Sequence, residues 1–142
     1  TAGDYRYSSS LVSIALPENE SAAALEVGKS YLWALMLVCN ADNRAEDIVI
    51  TGVVQRADDA YIASLAPAVR DQFATIDTLA PESQLAVYGE AGLWQDLLGV
   101  LVPLTSNNPA TYQNDWRSLL EDQGLGAIAN SPIVFSEADA PL

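Results

Sequence analysis

Apolar residues along the chain keep two different periods, and the change falls near residue 57. Before it they alternate or run together, as they do in strands. The first run, Leu11 with Val12, Ser13, Ile14, Ala15 and Leu16, is short and ends at Pro17. The second, Ser30-Tyr31-Leu32-Trp33-Ala34-Leu35-Met36-Leu37-Val38-Cys39, is apolar on both parities, the pattern of a central strand buried on two faces. The third, Ile48-Val49-Ile50-Thr51-Gly52-Val53-Val54-Gln55-Arg56, is rich in β-branched residues and ends polar. The three predict strands, with 28–56 an antiparallel pair joined by a polar connection over 40–47.

After residue 57 the period becomes helical. Asp58 or Asp59 caps a helix carrying Tyr61, Ile62 and Leu65 and, past Pro67, Val69, Phe73 and Ile76. Pro67 splits or kinks it. Pro81 stands at the first turn of a second helix with Leu85, Val87 and Tyr88. Gly92 ends that helix, and Leu93, Trp94, Leu97, Leu98, Leu101 and Leu104 form a third amphipathic stripe stopping before 107–109. Tyr112, Trp116, Leu119 and Leu120 mark a fourth helix, closed by Gly124 and Gly126. The expected fold class is therefore α+β. Residues 1–57 form an antiparallel sheet, as a partial β-sandwich. Residues 58–131 form a helical-hairpin bundle packed on it or following it, and 132–142 an extended acidic tail.

Composition then narrows the function. Half of the 142 residues are apolar, enough for a core, while 6 Lys+Arg against 19 Asp+Glu give 6 − 19 = −13. That balance disfavours nucleic acid and anionic membrane surfaces. With no His, a Ser-His-Asp triad, a Cys-His pair and an imidazole metal ligand are all excluded. One Cys excludes a disulfide within the chain. The longest apolar run, 31–38, is far short of the roughly 20 residues of a helical span, so no membrane insertion is expected. The chain opens on Thr1-Ala2-Gly3 rather than Met, and a removed leader or a longer parent chain is the expectation.

Local motifs divide between structural and functional readings. Residues 87–98 with Leu101, Leu104 and Asn108-Pro109 resemble one tetratricopeptide-type helical hairpin. Gly92 stands at the turn, Trp94 as the wedge and Pro109 at the end, but Leu97 replaces the usual Ala and Gly99 and Pro103 interrupt. No second copy follows, so a plain hairpin is favoured over a peptide-binding face. The oxygen-rich loop 39–47 lacks the calcium-loop spacing, and Arg44 in its middle pairs better with Asp42 or Asp47 than it tolerates a metal. Cys39 reads as a buried thiol rather than a nucleophile, or as one half of a disulfide to a segment outside this chain. The pairs Asp58/Asp59, Glu90/Asp96 and Glu121/Asp122 read as solvated surface in so acidic a chain, and Asn19-Glu20-Ser21 matches a glycosylation acceptor. The strand aromatics Tyr5, Tyr7, Tyr31 and Trp33 suit core packing, or stacking on sugar rings.

Three segments carry a family resemblance: Gly28-Lys29-x-Tyr31-x-Trp33, then the stretch from Cys39-Asn40 through Arg44, Asp47 and Gly52 to Arg56, then Glu90-Ala91-Gly92-Leu93-Trp94-x-Asp96. Over roughly 11–133 the chain resembles the C-terminal part of the cyanobacterial domain of unknown function 928. The resemblance implies export, a domain with further strands upstream, and an upstream cysteine as partner for Cys39. It supplies no reaction. Strands missing from a sandwich leave unpaired edges that another chain can fill. The expectation is a non-enzymatic, exported cell-envelope domain, periplasmic, cell-surface or extracellular, that needs no cofactor. It meets a protein partner or a second copy through a sheet edge or a groove around Trp94 and Trp116, with Tyr31 and Trp33 as further contact residues. The alternative is a carbohydrate or cell-wall module using Tyr5, Tyr7, Tyr31 and Trp33.

Overall fold

Punctuating residues set the element boundaries. The computed structural model describes residues 10–14 and 24–135. Along them run strands β1 (Leu11–Ser13), β2 (Ser30–Leu37) and β3 (Ile48–Gln55), then helices α1 (Asp59–Ser64), α2 (Pro67–Phe73), α3 (Pro81–Glu90), α4 (Trp94–Asn107) and α5 (Pro109–Asp122), then strand β4 (Ile133–Phe135). The Asp58 carboxylate caps α1 by accepting the Tyr61 N–H at 2.8 Å. Helices α2, α3 and α5 each begin on a proline, where the missing N–H has no intrahelical partner to lose. Gly92 and Gly124 adopt φ of +68° and +73° past the ends of α3 and α5. These left-handed turns let the Leu93 N–H reach the Tyr88 carbonyl at 2.9 Å and the Leu125 N–H reach that of Leu120 at 2.7 Å.

The class is α+β, with helices following an antiparallel strand pair. The described residues fall into two compact units, 10–14 with 67–135 and 24–66. In the first, Leu101, Tyr112, Trp116, Leu120 and Ala129 form the core, and Leu11, Leu85, Leu97 and Ile133 pack against it. Phe73 meets Tyr88 edge-on, ring centroids 6.4 Å apart, tying α2 to α3.

Two expectations need correction in this unit. Among the described residues strand β1 joins no antiparallel layer: it pairs in parallel with β4, Leu11 opposite Ile133 and Ser13 opposite Phe135. The start of the predicted tail is thus a strand. Its cause is the helical core, which draws in both Leu11 and Ile133. Two short runs so distant in sequence carry no local signal of their pairing. Ile76 also leaves the helix assigned to it and sits in a separate 3-10 turn, Ile76–Thr78.

The second unit holds the antiparallel pair as expected, in the register Ser30↔Gln55 to Leu37↔Ile48. Its burial is not as expected. Strand β2 should be buried on two faces, yet Leu32 is 76% exposed and its cross-strand partner Val53 65%. Among the described residues β2 and β3 pair only with each other, so neither is a central strand.

Candidate interaction surface

Strict alternation sorts the hairpin side chains. One face carries Ser30, Leu32, Ala34 and Met36 opposite Gln55, Val53, Thr51 and Val49. The other carries Tyr31, Trp33, Leu35 and Leu37 opposite Val54, Gly52, Ile50 and Ile48. Neither strand holds a charged residue. Leu32, Met36, Val49 and Val53 are exposed on the first face, and Trp33, Leu35, Leu37, Ile48 and Ile50 on the second.

Trp33 and Tyr31 are held differently. The Trp33 indole lies across Gly52, where a β-carbon would land on its Cζ2, Cε2 and Nε1 atoms. A glycine there opens a seat for the cross-strand ring. Tyr31 is half-buried; its hydroxyl accepts the Glu26 N–H at 3.1 Å and donates to Glu26 Oε1 at 3.3 Å. Lys29 Nζ lies 2.6 Å from the same carboxylate oxygen and 5.4 Å from the Tyr31 ring centroid. The hydrogen bond to Glu26, then the field of Tyr31, push the Lys29 ammonium above its usual range.

At the hairpin tip Arg44 pairs with Asp47 at 2.5 Å, one of its two expected partners. Its Nη2 also donates to Met36 Sδ. The Asn43 side chain accepts the Ala45 N–H at 3.3 Å and donates to Glu46 at 2.7 Å, so a short 3-10 turn occupies the oxygen-rich loop. Among the described residues no three of His, Cys, Asp and Glu come together as metal ligands. Cys39 is exposed, not buried as its apolar neighbours suggest, because the strand before it is itself exposed.

In the helical unit the two predicted tryptophans do not share a groove. Trp94 is half-buried and borders a depression of about 320 Å³ with Tyr88, Gly92, Leu119 and Gln123. Trp116 is 3% exposed and belongs to the core. It borders a different groove of about 600 Å³, walled by β1, β4 and α4. At four-residue spacing Tyr112, Trp116 and Leu120 fall on one helix face, and the core claims that face. Tyr5, Tyr7 and Asn19 lie outside the described residues.

One contact had no sequence signal: the Tyr112 hydroxyl donates to Glu82 Oε1 at 2.5 Å, joining α5 to α3. That bond, then the backbone N–H of Glu82, hold the Glu82 carboxyl below its usual range. In return Tyr112 is pushed up, first by the bond to Glu82, then by desolvation and the charges of Glu82 and Asp115.

The geometry defines an α+β protein whose helical unit has a closed core and whose strand unit presents apolar side chains to solvent. The chain belongs to the family Domain of Unknown Function DUF928, whose model matches residues 4–133, nearly the whole chain. That match begins earlier than the resemblance over 11–133. No curated protein and no solved structure matches it. No helix among the described residues is long and apolar enough to cross a membrane.

Proposed function

We propose that the chain acts by protein–protein contact rather than by catalysis, as a subunit of a larger assembly, with the β2–β3 hairpin as its docking element. The observation that carries this reading is an uncharged hairpin with exposed apolar residues on both faces and no third strand beside it among the described residues. A two-stranded hairpin alone is at best marginally stable in water, and its open edges invite strand addition. An apolar surface of this kind marks an interaction site. An exported, cell-envelope location accompanies the proposal and rests on the family resemblance.

The test uses Leu32→Lys with Val53→Lys, an exposed cross-strand pair. The unaltered chain is expected to self-associate in sedimentation velocity or to carry one polypeptide in stoichiometric amount from its native source. The double variant should lose that species while its helical circular dichroism stays unchanged. A monomer at every concentration, free of any companion and with slowly exchanging hairpin amides, would overturn the proposal.

Glycan binding is the second reading, and the seat of Trp33 favours it. At 45% exposure the indole across Gly52 offers open ring surface on which a sugar can stack. Quenching of Trp33 fluorescence by a cell-wall oligosaccharide, absent in Trp33→Ala, supports it; no response from the unaltered chain removes it.

A further inference from the structure

A groove of about 330 Å³ lies between α3 and α5, with α4 as its floor. Leu85, Leu97, Leu101 and Leu119 make its surface apolar, while Glu82 and Asp115 bring two carboxylates and Tyr112 a hydroxyl. We propose that this groove accepts a lysine side chain of a partner polypeptide, the aliphatic stem against the leucines and the ammonium beside Glu82 and Asp115.

Charge decides the class of occupant. Among the described residues no cation lines the groove. Across 67–135 two basic residues, Arg70 and Arg117, face eight acidic ones, 2 − 8 = −6. Arg117 is engaged elsewhere, donating to Asn130 at 2.9 Å. An anion would be repelled here, and a neutral apolar ligand would draw nothing from the two exposed carboxylates. A lysine uses both features of the site, its stem covering apolar surface while its ammonium complements the two exposed carboxylates.

Geometry adds preorganisation. The Tyr112 hydroxyl already donates to Glu82, so Tyr112 is a positioning residue that fixes one carboxylate at the rim. Asp115 follows Tyr112 by three residues on α5 and lies on the same helix face. The same bond holds the carboxyl of Glu82 below its ordinary range, which favours the charged form.

The experiment is an amide-resolved NMR titration of the whole chain, at low salt, with the capped tripeptide acetyl-Ala-Lys-Ala-amide. Saturable shifts are expected in α3, at Leu97 and Leu101, and over 112–119, with Kd of order 1–10 mM for one exposed side chain. Glu82→Gln and Asp115→Asn should each weaken binding about 5-fold, without altering the helical spectrum. A norleucine peptide, which keeps the stem and drops the charge, should not saturate. Equal binding of that peptide would reduce the site to an apolar patch and overturn the proposal. So would shifts spread over every acidic surface and indifferent to both variants, absence of saturation at about 100 mM, or an arginine peptide binding more tightly than lysine. Leu32→Lys with Val53→Lys should leave this titration unchanged, which separates its outcome from that of the hairpin.

Discussion

Helix α5 and strand β2 are both rich in aromatic and aliphatic side chains, and they fare in opposite ways. On α5, Tyr112, Trp116 and Leu120 recur every four residues and are 9%, 3% and 2% exposed. Asp115 and Arg117 stand between them and Glu121 just past them, all on exposed positions. On β2 no charged residue interrupts either face, and Leu32, Trp33 and Met36 are 76%, 45% and 52% exposed. The helix asks for cover on one side and receives it. The strand asks for cover on two sides, and the apolar positions of both stay open. The gap between burial demanded by sequence and burial found in the structure is the observation behind the proposal that the hairpin docks.

The strongest way to break this comparison is to truncate a tryptophan in each region. Trp116→Ala should destabilise the helical unit by about 3–5 kcal/mol, the range for removing a large buried aromatic. Its helical unfolding midpoint in denaturant should fall accordingly. Trp33→Ala should cost under about 1 kcal/mol in the isolated chain, since nearly half of the residue is already exposed. Equal losses would mean that the hairpin is covered in solution, and the contrast would collapse.

A sharper probe reaches inside the hairpin. Gly52→Val places atoms where the Trp33 indole lies, and the ring must swing away. Overpacking of this kind costs about 1–3 kcal/mol where the neighbour cannot move, and less for a ring open to solvent. The Trp33 indole N–H resonance should shift, while those of Trp94 and Trp116 stay in place. An unmoved Trp33 signal would show that Gly52 is not its seat.

The helical boundaries were the legible part of the chain, because each rests on a residue with a local mechanism. Pro81 suits a first helical turn, Pro109 stands where one helix stops and the next begins, Gly92 and Gly124 take a left-handed turn, and Asp58 has an oxygen at cap position. Asp58→Ala should accordingly cost about 1 kcal/mol, read in the stability of the unit spanning 24–66. The β2–β3 pairing was legible for a similar reason: two apolar runs flank one polar turn. What stayed hidden was non-local. The parallel pairing of Leu11 with Ile133 joins runs too short to announce a partner. The exposure of Leu32 and Val53 goes with the lack of a flanking strand among the described residues, and a sequence pattern records only the appetite for burial. The groove of Glu82, Asp115 and Tyr112 was missed because three helices build it and no one of them spells it. Trp94 and Trp116 drew notice as aromatics, but aromatic content does not distinguish a core wedge from a contact surface.

The smallest expected effect is the one that isolates the α3–α5 tie. The carboxyl of Glu82 lies below its ordinary value of 4.5, chiefly because it accepts the Tyr112 hydroxyl. Its contribution is therefore complete above about that pH and is lost as pH falls through the lower, folded value. Tyr112 moves the other way, above 10.0, mainly through the same bond. Its contribution is complete below that pH and is lost as pH rises through the higher, folded value. Tyr112→Phe keeps the ring in the core and deletes only the bond. The difference in thermal midpoint between the unaltered chain and this variant should be level from about pH 5 to 10 and shrink towards zero in stronger acid. In stronger alkali it should shrink and then reverse, as a phenolate would face both Glu82 and Asp115. Because the remaining carboxylates are common to both proteins, their shared acid unfolding cancels in the difference. A difference that stays constant across the acid limb would show that Glu82 does not hold the hydroxyl, and the preorganised rim of the lysine groove would go with it.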